Sequence, residues 1–280
     1  MNKFLVFQSD FGLVDGAVSA MEGVAYNVCS ELKIAHITHD ITQYNIFEGS
    51  YRLFQTVEYW PEGTVFVSVV DPGVGTSRKS VVVKTSKNQY IVTPNNGTLT
   101  HINRFVGIDE IREIEESVNR RSNTEHSYTF HGRDVYAYTG ARLASGTIGF
   151  EEVGPLMDLG EIVELELFEN TVDDNSVVGQ IDILDVRFGS LWTSIPFETF
   201  NNLGFSYGDR IEVQIFNNKT MVYSNRVTYG KSFADVSLGM PIIYMNSVYH
   251  MALAINQGSF AKAYAIGVGS PWTIRFEKPE

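Results

Sequence analysis

The sequence is poor in three features, and each shortage excludes a class of function. Only one of its 280 residues is a cysteine, so no disulfide can form within the chain and nothing requires an oxidising compartment. Lysine and arginine number 21 against 33 aspartate and glutamate, and the net charge of −12 repels nucleic acid phosphates. No apolar run reaches the roughly 18 residues that span a membrane, and the first residues lack the apolar segment of a signal peptide. We therefore expect a cytoplasmic protein that binds a small molecule, and neither nucleic acid nor membrane.

Two different hydrophobic patterns divide the chain. Over residues 1–160 strand-like runs alternate with helical spacing, as in Asn45–Trp60 and Arg133–Ala144, which predicts an α/β domain with a mostly parallel sheet flanked by helices. Residues 161–176 are acidic and predict a linker. Over residues 177–280 short strands recur at a spacing of about 8 to 12 residues, which predicts a smaller antiparallel β barrel or sandwich. Ala261–Ile266 is predicted to be one of these strands.

Two acidic residues directly follow predicted strands of the first domain. Asp10 ends the first strand, and Asp71 ends Thr64–Val70 just before Pro-Gly-Val-Gly. Ligands of open α/β sheets bind beyond the carboxyl ends of the strands, so two acids at equivalent strand ends favour a site, whereas one alone would more often cap a turn. The glycines lack the Walker ending and the dinucleotide-binding spacing. We interpret them as a tight loop that brings Asp71 and Arg78 together.

The segment Phe-His-Gly-Arg-Asp at 130–134 is a third concentration of polar residues. His131 lies next to a glycine and just before a predicted helix, where its imidazole can face a cleft. Imidazole suits acid, base or hydrogen-bonding work near neutral pH, although a lone histidine is more often structural.

The segment His-Ile-Thr-His-Asp at 36–40 is a weak metal signal. It lacks the glutamate and the helical spacing of zinc hydrolases. In a strand that leads into a loop, His36 and His39 are expected to point to opposite faces. A site without metal is therefore favoured.

Taken together, the motifs resemble the S-adenosyl-L-methionine (SAM) hydroxide adenosyltransferases, also called SAM hydrolases, which are relatives of the fluorinases and chlorinases. The motifs that carry the resemblance are SDFG at 9–12 followed by Asp15, ITHDI at 37–41, VVDPGVG at 69–75 with Arg78, PNNG at 94–97 and FHGRD at 130–134. The resemblance continues through DVRFG at 185–189 and YMNS at 244–247. It therefore covers nearly the whole chain in the family's order.

The resemblance implies a reaction and an assembly. SAM and water would give adenosine and L-methionine, with no cofactor, in a homotrimer whose ligand lies between the amino-terminal domain of one subunit and the carboxy-terminal domain of its neighbour. The family's catalytic set falls on Asp71, Arg78 and His131. Fluorinases are similar but carry Tyr in place of Asp71 and Tyr-Ser in place of His131-Gly132. Water, not halide, is therefore the implied nucleophile.

The resemblance also implies substrate-binding residues. The implied partners are the ribose hydroxyls for Asp10, the ribose or base for Tyr44, adenine for Phe188, the methionine ammonium for Asp185 and the methionine carboxylate for Ser247. Ser190 and Ser194 replace the family's usual Asn. An amide donates and accepts through two separate atoms, whereas a hydroxyl has only one oxygen, so adenine contact at Ser190 is expected to be weaker or mediated by water.

Two other functions stay open on the sequence alone. One is a non-catalytic protein that binds adenosine or SAM, which the Ser190 replacement and the slow chemistry of a water nucleophile favour; it predicts tight binding without turnover. The other, less favoured, is a metal-dependent hydrolase. It would use Asp10, His36, His39, Asp40 and Asp71. Activity that survives a chelator would exclude it.

Overall fold

A six-stranded sheet organises the first of the two units into which the chain divides, Met1–Leu165 and Glu166–Glu280. The structure is a computed structural model and describes residues 3–279. The strands of this sheet are β1 (Phe4–Ser9), β2 (Lys33–His36), β3 (Val65–Val69), β4 (Ser80–Thr85), β5 (Tyr90–Pro94) and β6 (Ile108–Glu113). Their order across the sheet is β2-β1-β3-β5-β4-β6. The first four in this order run parallel, and β4 is antiparallel to both of its neighbours.

Helices cover both faces of this sheet. They are α1 (Ala17–Val28), α2 (Ile46–Val57), α3 (Thr100–Phe105), α4 (Glu116–Asn119) and α5 (Tyr138–Ser145), which a π-helical turn (Gly132–Ala137) precedes directly. Helices α1 and α5 contribute to the hydrophobic cluster on one face, whereas α2 and α3 contribute to the cluster on the other. Val67 faces the first cluster and Phe66 the second. Such two-sided burial is typical of parallel sheets, and it confirms the predicted α/β class.

One glycine sets the distance between α5 and the sheet. A Cβ atom at Gly140 would lie 2.5 Å from Cγ2 of Val67 in β3. The missing side chain therefore allows the helix backbone to approach the strand, and the π-helical turn before α5 is held close to the carboxyl end of β3.

The second unit is a closed β-barrel. Its strands are β7 (Thr171–Val172), β8 (Ser176–Asp185), β9 (Ser190–Pro196), β10 (Arg210–Asn217), β11 (Thr220–Tyr229), β12 (Pro241–Met245), β13 (His250–Ile255) and β14 (Trp272–Glu277). Because β14 pairs with both β10 and β8, seven strands close into a barrel, and β7 is added at β8. Apart from the parallel pair β11 and β12, neighbouring strands are antiparallel. Closure leaves no free edge among the seven strands, and the prediction of a small antiparallel all-β domain is confirmed.

The strand predicted over Ala261–Ile266 is wrong. This segment forms most of a short helix, α7 (Phe260–Tyr264), and a second short helix, α6 (Phe197–Asn202), precedes β10. The Ser259 side chain caps α7 by accepting a hydrogen bond from the backbone N–H of Lys262 at 3.2 Å. The Ser259 cap and the burial of Phe260 and Ala261 stabilise the helix, although the apolar pattern of the segment resembles that of a strand.

Within residues 3–279, no helix is both long enough and apolar enough to cross a bilayer.

Candidate active site

The carboxyl ends of β1 and β3 border a cavity of about 340 Å³ in the first unit. The strand β2 lies on one side of β1 and β3 on the other, so the chain leaves these neighbouring strands in opposite directions. Open α/β sheets bind ligands at such a switch point. Residues of three predicted motifs line the cavity, among them Asp10, Asp71 and His131, and Tyr44 lines it as well.

Asp71 and Arg78 form a buried ion pair beside this cavity. Arg78 donates from Nε to Oδ1 of Asp71 at 2.9 Å and from Nη2 to Oδ2 at 2.5 Å, and its Nη1 donates to Oγ of Ser80 at 2.9 Å. Their side chains are only 5% and 11% exposed. Burial lowers the pKa of Arg78, but the hydrogen bond and the charge of Asp71 more than offset this, so its pKa lies above the ordinary value. A bidentate charged pair of this kind is among the strongest hydrogen-bonded arrangements in proteins.

Tyr136 completes the surroundings of the Asp71 carboxylate. Its hydroxyl donates to Oδ2 of Asp71 at 3.3 Å and lies 3.2 Å from Oγ of Ser80. Burial, together with the charge of Asp71, raises the pKa of Tyr136 well above its ordinary value. The hydroxyl therefore stays protonated and acts as a hydrogen-bond donor.

His131 lies between two arginines. Its Nδ1 is 3.0 Å from Nη2 of Arg78, its Nε2 is 3.1 Å from Nη2 of Arg120, and the residue is 4% exposed. Burial lowers its pKa; the charge of Glu116 opposes this effect, and the charges of Arg78 and Arg120 reinforce it. The imidazole is therefore neutral at neutral pH.

The implied catalytic residues Asp71, Arg78 and His131 thus lie in contact, but only two of them line the cavity. Asp71 and His131 line the cavity, whereas Arg78 contacts both of them from outside its lining. The glycine after His131 keeps this arrangement close, because a Cβ at Gly132 would lie 3.2 Å from the ring of Phe11. Residues 53 positions apart in the chain are brought into contact in this way.

Asp10 holds the neighbouring loop in place. Its Oδ2 accepts a hydrogen bond from the backbone N–H of Tyr44 at 2.8 Å. Tyr44 has a φ of +66°, and its side chain is exposed. The left-handed backbone places the tyrosine at the rim of the cavity, and the carboxylate of Asp10 stabilises that strained position.

The expectation that His36 and His39 point to opposite faces is wrong. Because β2 ends at His36 and the chain then turns, Nδ1 of His36 lies 2.8 Å from Nε2 of His39. His36 also pairs with Glu22 of α1 at 3.0 Å, and Nδ1 of His39 lies 2.7 Å from Oγ of Ser9. Over the described part of the chain, no three histidine, cysteine or acidic side chains are arranged to hold a metal ion.

Burial of His39 predicts that the stability of the protein depends on pH. Burial, aided by the charge of His36, lowers the pKa of His39 from 6.5 to about 4. Between these values the unfolded chain binds a proton that the folded chain does not, so the free energy of unfolding should fall as the pH drops from 6.5 towards 4. Discounted for screening, the loss is on the order of 2 kcal/mol. Urea unfolding at pH 7 and pH 4.5 measures it.

The matched control for this prediction is His39→Gln, in which an amide replaces the imidazole: the side chain can still form hydrogen bonds but cannot titrate. Its free energy of unfolding should be lower at pH 7 and should change less between the two pH values. An equally steep loss in the variant would show that another group causes the acid sensitivity.

A second cavity, of about 1080 Å³, lies in the barrel unit. Asp185, Phe188, Ser190 and Ser247, which the sequence singles out, all line it. The ring of Phe188 is 70% exposed. A large exposed ring beside a carboxylate and two hydroxyls suits a ligand with an aromatic base and a charged polar group.

Several aromatic residues of this cavity were not predicted from the sequence. Trp192 donates from Nε1 to the hydroxyl of Tyr244 at 3.2 Å, and the rings of Tyr244 and Phe233 are 5.0 Å apart. All three line the cavity. Trp192 closely follows the DVRFG motif and Tyr244 begins the YMNS motif. Their positions beside and within these motifs could have identified both as candidate cavity residues.

The two serines that replace the usual Asn have different surroundings. Ser190 lines the second cavity, whereas Ser194 lies outside its lining. The Ser194 hydroxyl accepts from the backbone N–H of Gln180 at 2.8 Å and donates to Oδ1 of Asn170 at 2.6 Å. Ser194 therefore stabilises the barrel, and of the two serines only Ser190 lines the cavity.

Comparison with known proteins connects these two cavities to one family. Residues 5–154 match the family model described as SAM hydroxide adenosyltransferase N-terminal domain, and residues 179–273 match the corresponding C-terminal domain. A fluorinase of Actinopolyspora mzabensis is 28% identical over 95% of this chain and 94% of its own length. An (R)-S-adenosyl-L-methionine hydrolase of Methanocaldococcus jannaschii is 34% identical over 75% of this chain and 73% of its own. The crystal structure of an uncharacterised conserved protein from Thermotoga maritima has a TM-score of 0.88 at 31% identity, covering 98% of this chain and 100% of that one.

Proposed function

Because the chain belongs to the SAM hydroxide adenosyltransferase family, we propose that it hydrolyses SAM to adenosine and L-methionine. A water or hydroxide oxygen would attack the ribose 5′ carbon. The observation that carries this proposal is the buried cluster of Asp71, Arg78 and His131 beside the cavity of the first unit. Since relatives are named both fluorinase and hydrolase, the nucleophile has to be argued from the residues of this chain.

The charge on the cavity wall favours water over halide. Asp71 lines the cavity as a carboxylate, and its negative charge repels a halide ion in a poorly solvated site. A neutral water molecule is not repelled, and the same carboxylate can accept a hydrogen bond from it. The family resemblance implies a tyrosine at this position in fluorinases, which would remove the repulsion.

The enzyme has to activate the nucleophile, whereas the leaving group requires little assistance. Attack at the 5′ carbon forms a C–O bond, while the C–S bond breaks and its electron pair stays on sulfur. The departing thioether is neutral and needs no general acid. Water is a poor nucleophile, so the site has to stabilise an oxygen with hydroxide character. The positive charge of Arg78 and a hydrogen bond from His131 would supply this stabilisation.

The binding residues suit a cationic nucleoside. Asp10 in the first cavity would hold the ribose hydroxyls, and the exposed ring of Phe188 in the second would stack on adenine. Asp185 and Ser247 would bind the ammonium and carboxylate of the methionine part. We further propose a cytoplasmic homotrimer in which the two cavities of one ligand site come from neighbouring subunits.

The experiment that tests this function is incubation of the purified protein with SAM in water enriched in oxygen-18. We expect adenosine and methionine, with the heavy oxygen in the adenosine 5′ hydroxyl, at a rate that a chelator does not change. Fluoride or chloride should give no halogenated nucleoside. SAM binding without any product would support the non-catalytic alternative, and a halogenated product would contradict the choice of nucleophile.

A further inference from the structure

A second arginine, Arg120, holds the far side of the His131 ring. Its Nη2 lies 3.1 Å from Nε2 of His131, and its side chain is only 7% exposed. Nη2 and Nε both donate to Oε2 of Glu116, at 2.5 and 3.1 Å. Nη1 donates to the carbonyl of Ser127 at 3.1 Å. Arg120 therefore anchors the loop that leads to His131 and has little freedom to move away from the ring.

The two arginines make conflicting demands on the imidazole. A guanidinium group only donates hydrogen bonds, and a neutral imidazole accepts at one nitrogen only. One of the two contacts, to Arg78 or to Arg120, must therefore set a ring N–H against a guanidinium N–H. A protonated ring would suffer this conflict at both nitrogens. The remaining groups near the ring are Glu116, Asp71 and Tyr136, and none of them lies within hydrogen-bond distance of a ring nitrogen in the described structure.

Both guanidinium groups are held by a carboxylate, so the two sides of the ring differ in their access to the cavity. Asp71, on the Arg78 side, lines the cavity, whereas Arg120 and Glu116 do not. An oxygen that enters from the cavity and takes the place of Nη2 of Arg78 beside the ring can accept a hydrogen bond from Nδ1, while Arg78 keeps its bonds to Asp71 and Ser80. The Nε2 lone pair is then free to accept from Arg120.

From this geometry we infer that Arg120 is a positioning residue that fixes His131 in the tautomer with the proton on Nδ1. The ring then presents an N–H to the nucleophile oxygen and stabilises it as a donor. Because Nδ1 already carries a proton, the proton released in hydrolysis does not go to that nitrogen. It passes to the Asp71 carboxylate and then to solvent. This inference rests on the proposed function for its kinetic consequences, but the tautomer itself does not.

The direct test is nitrogen-15 NMR of the imidazole in the full-length protein at pH 7.5. We expect His131 to show a protonated Nδ1 and an unprotonated Nε2. In Arg120→Gln, which can accept as well as donate, this preference should be lost. A wild-type spectrum with the proton on Nε2, or with both nitrogens protonated, would overturn the inference.

Kinetics of the same variants separate positioning from mere structural support. Arg120→Gln should lower kcat roughly 100-fold with KM within about twofold. It should also move the acid limb of the pH–rate profile upward, because a positive charge beside His131 is removed. Glu116→Gln is the matched control: it removes a negative charge beside the same ring, so its acid limb should move downward. Arg120→Lys keeps the charge and one donor, and it should recover part of the lost kcat.

Failure of this inference and failure of the proposed function give different results. If the wild type does not hydrolyse SAM, the function fails, while the NMR result still decides the tautomer. If SAM is hydrolysed but Nε2 carries the proton, only the inference fails. Should Arg120→Gln not fold, the spectra of the wild type and Arg120→Lys decide the question, and identical acid limbs in wild type and Glu116→Gln would count against it.

Discussion

Replacing Asp71 by asparagine is expected to lower kcat for SAM hydrolysis roughly 1,000-fold and to change SAM affinity much less. The carboxylate accepts two hydrogen bonds from Arg78 and one from Tyr136. An amide of the same shape offers a single oxygen, and its NH₂ group would face a guanidinium or a hydroxyl that already donates. The variant therefore loses both the orientation of Arg78 and the negative charge near the nucleophile. Steady-state kinetics and calorimetric SAM binding measure the two effects separately.

The control for this prediction is the same substitution at the other carboxylate of the cavity. Asp10→Asn should raise KM more than it lowers kcat, because Asp10 is assigned to the ribose and holds the Tyr44 loop. If one variant mainly loses kcat and the other mainly gains KM, the effects cannot come simply from the removal of a negative charge from the cavity. If Asp71→Asn kept more than about a tenth of the wild-type kcat, Asp71 would have no part in the chemistry.

The fold was predictable wherever hydrophobic periodicity stayed regular. The strands β3 and β4 and the helix α2 follow their patterns closely, and α2 begins after Asn45, whose side chain accepts from the N–H of Glu48. The strand β6 was missed because Ile108 and Ile111 are three positions apart, and the register of β4 against β6 shifts near Thr85. An irregularity of this kind hides the alternation that identifies a strand.

Two other elements of the structure differ from the predictions, each for its own reason. The strand β14 does alternate, with Ile274 and Phe276 both fully buried, but it is not among the predicted strands. The π-helical turn over Gly132–Ala137 replaces the start of the predicted helix at Arg133. A single π-helical turn is too short to impose a hydrophobic spacing different from that of the α-helix it leads into, so this turn has no sequence signature of its own.

The candidate site was predictable only as far as its motifs reach. The motifs placed Asp71, Arg78 and His131 on the candidate list, and the structure brings them into contact. Arg120 belongs to no motif, and its neighbours Asn119 and Arg121 gave no reason to choose it. Its role depends on a contact that exists only once α4 and the loop after it have folded against His131.

Two inactive variants, one altered in each unit, are expected to restore activity when they are built into the same oligomer. Asp71→Asn removes the chemistry of the first cavity. The double variant Asp185→Ala, Phe188→Ala removes charge and stacking surface from the second. If each ligand site uses the first unit of one subunit and the second unit of its neighbour, random mixing in a trimer leaves about one quarter of the sites intact. Co-expression in equal amounts, followed by assays of SAM hydrolysis on the whole unfractionated pool of oligomers, measures the recovery.

The decisive comparison carries all three substitutions on one chain and pairs that chain with the wild type. In a trimer with shared sites, both neighbours at a site must be wild type, so about one quarter of the sites should again be active. If each chain formed its own site, about one half would be active here and none in the first mixture. The two mixtures thus give equal activities only when the site is shared. A shared site needs an intact first unit from one chain and an intact second unit from its neighbour, and the chance of that combination is the same in both mixtures.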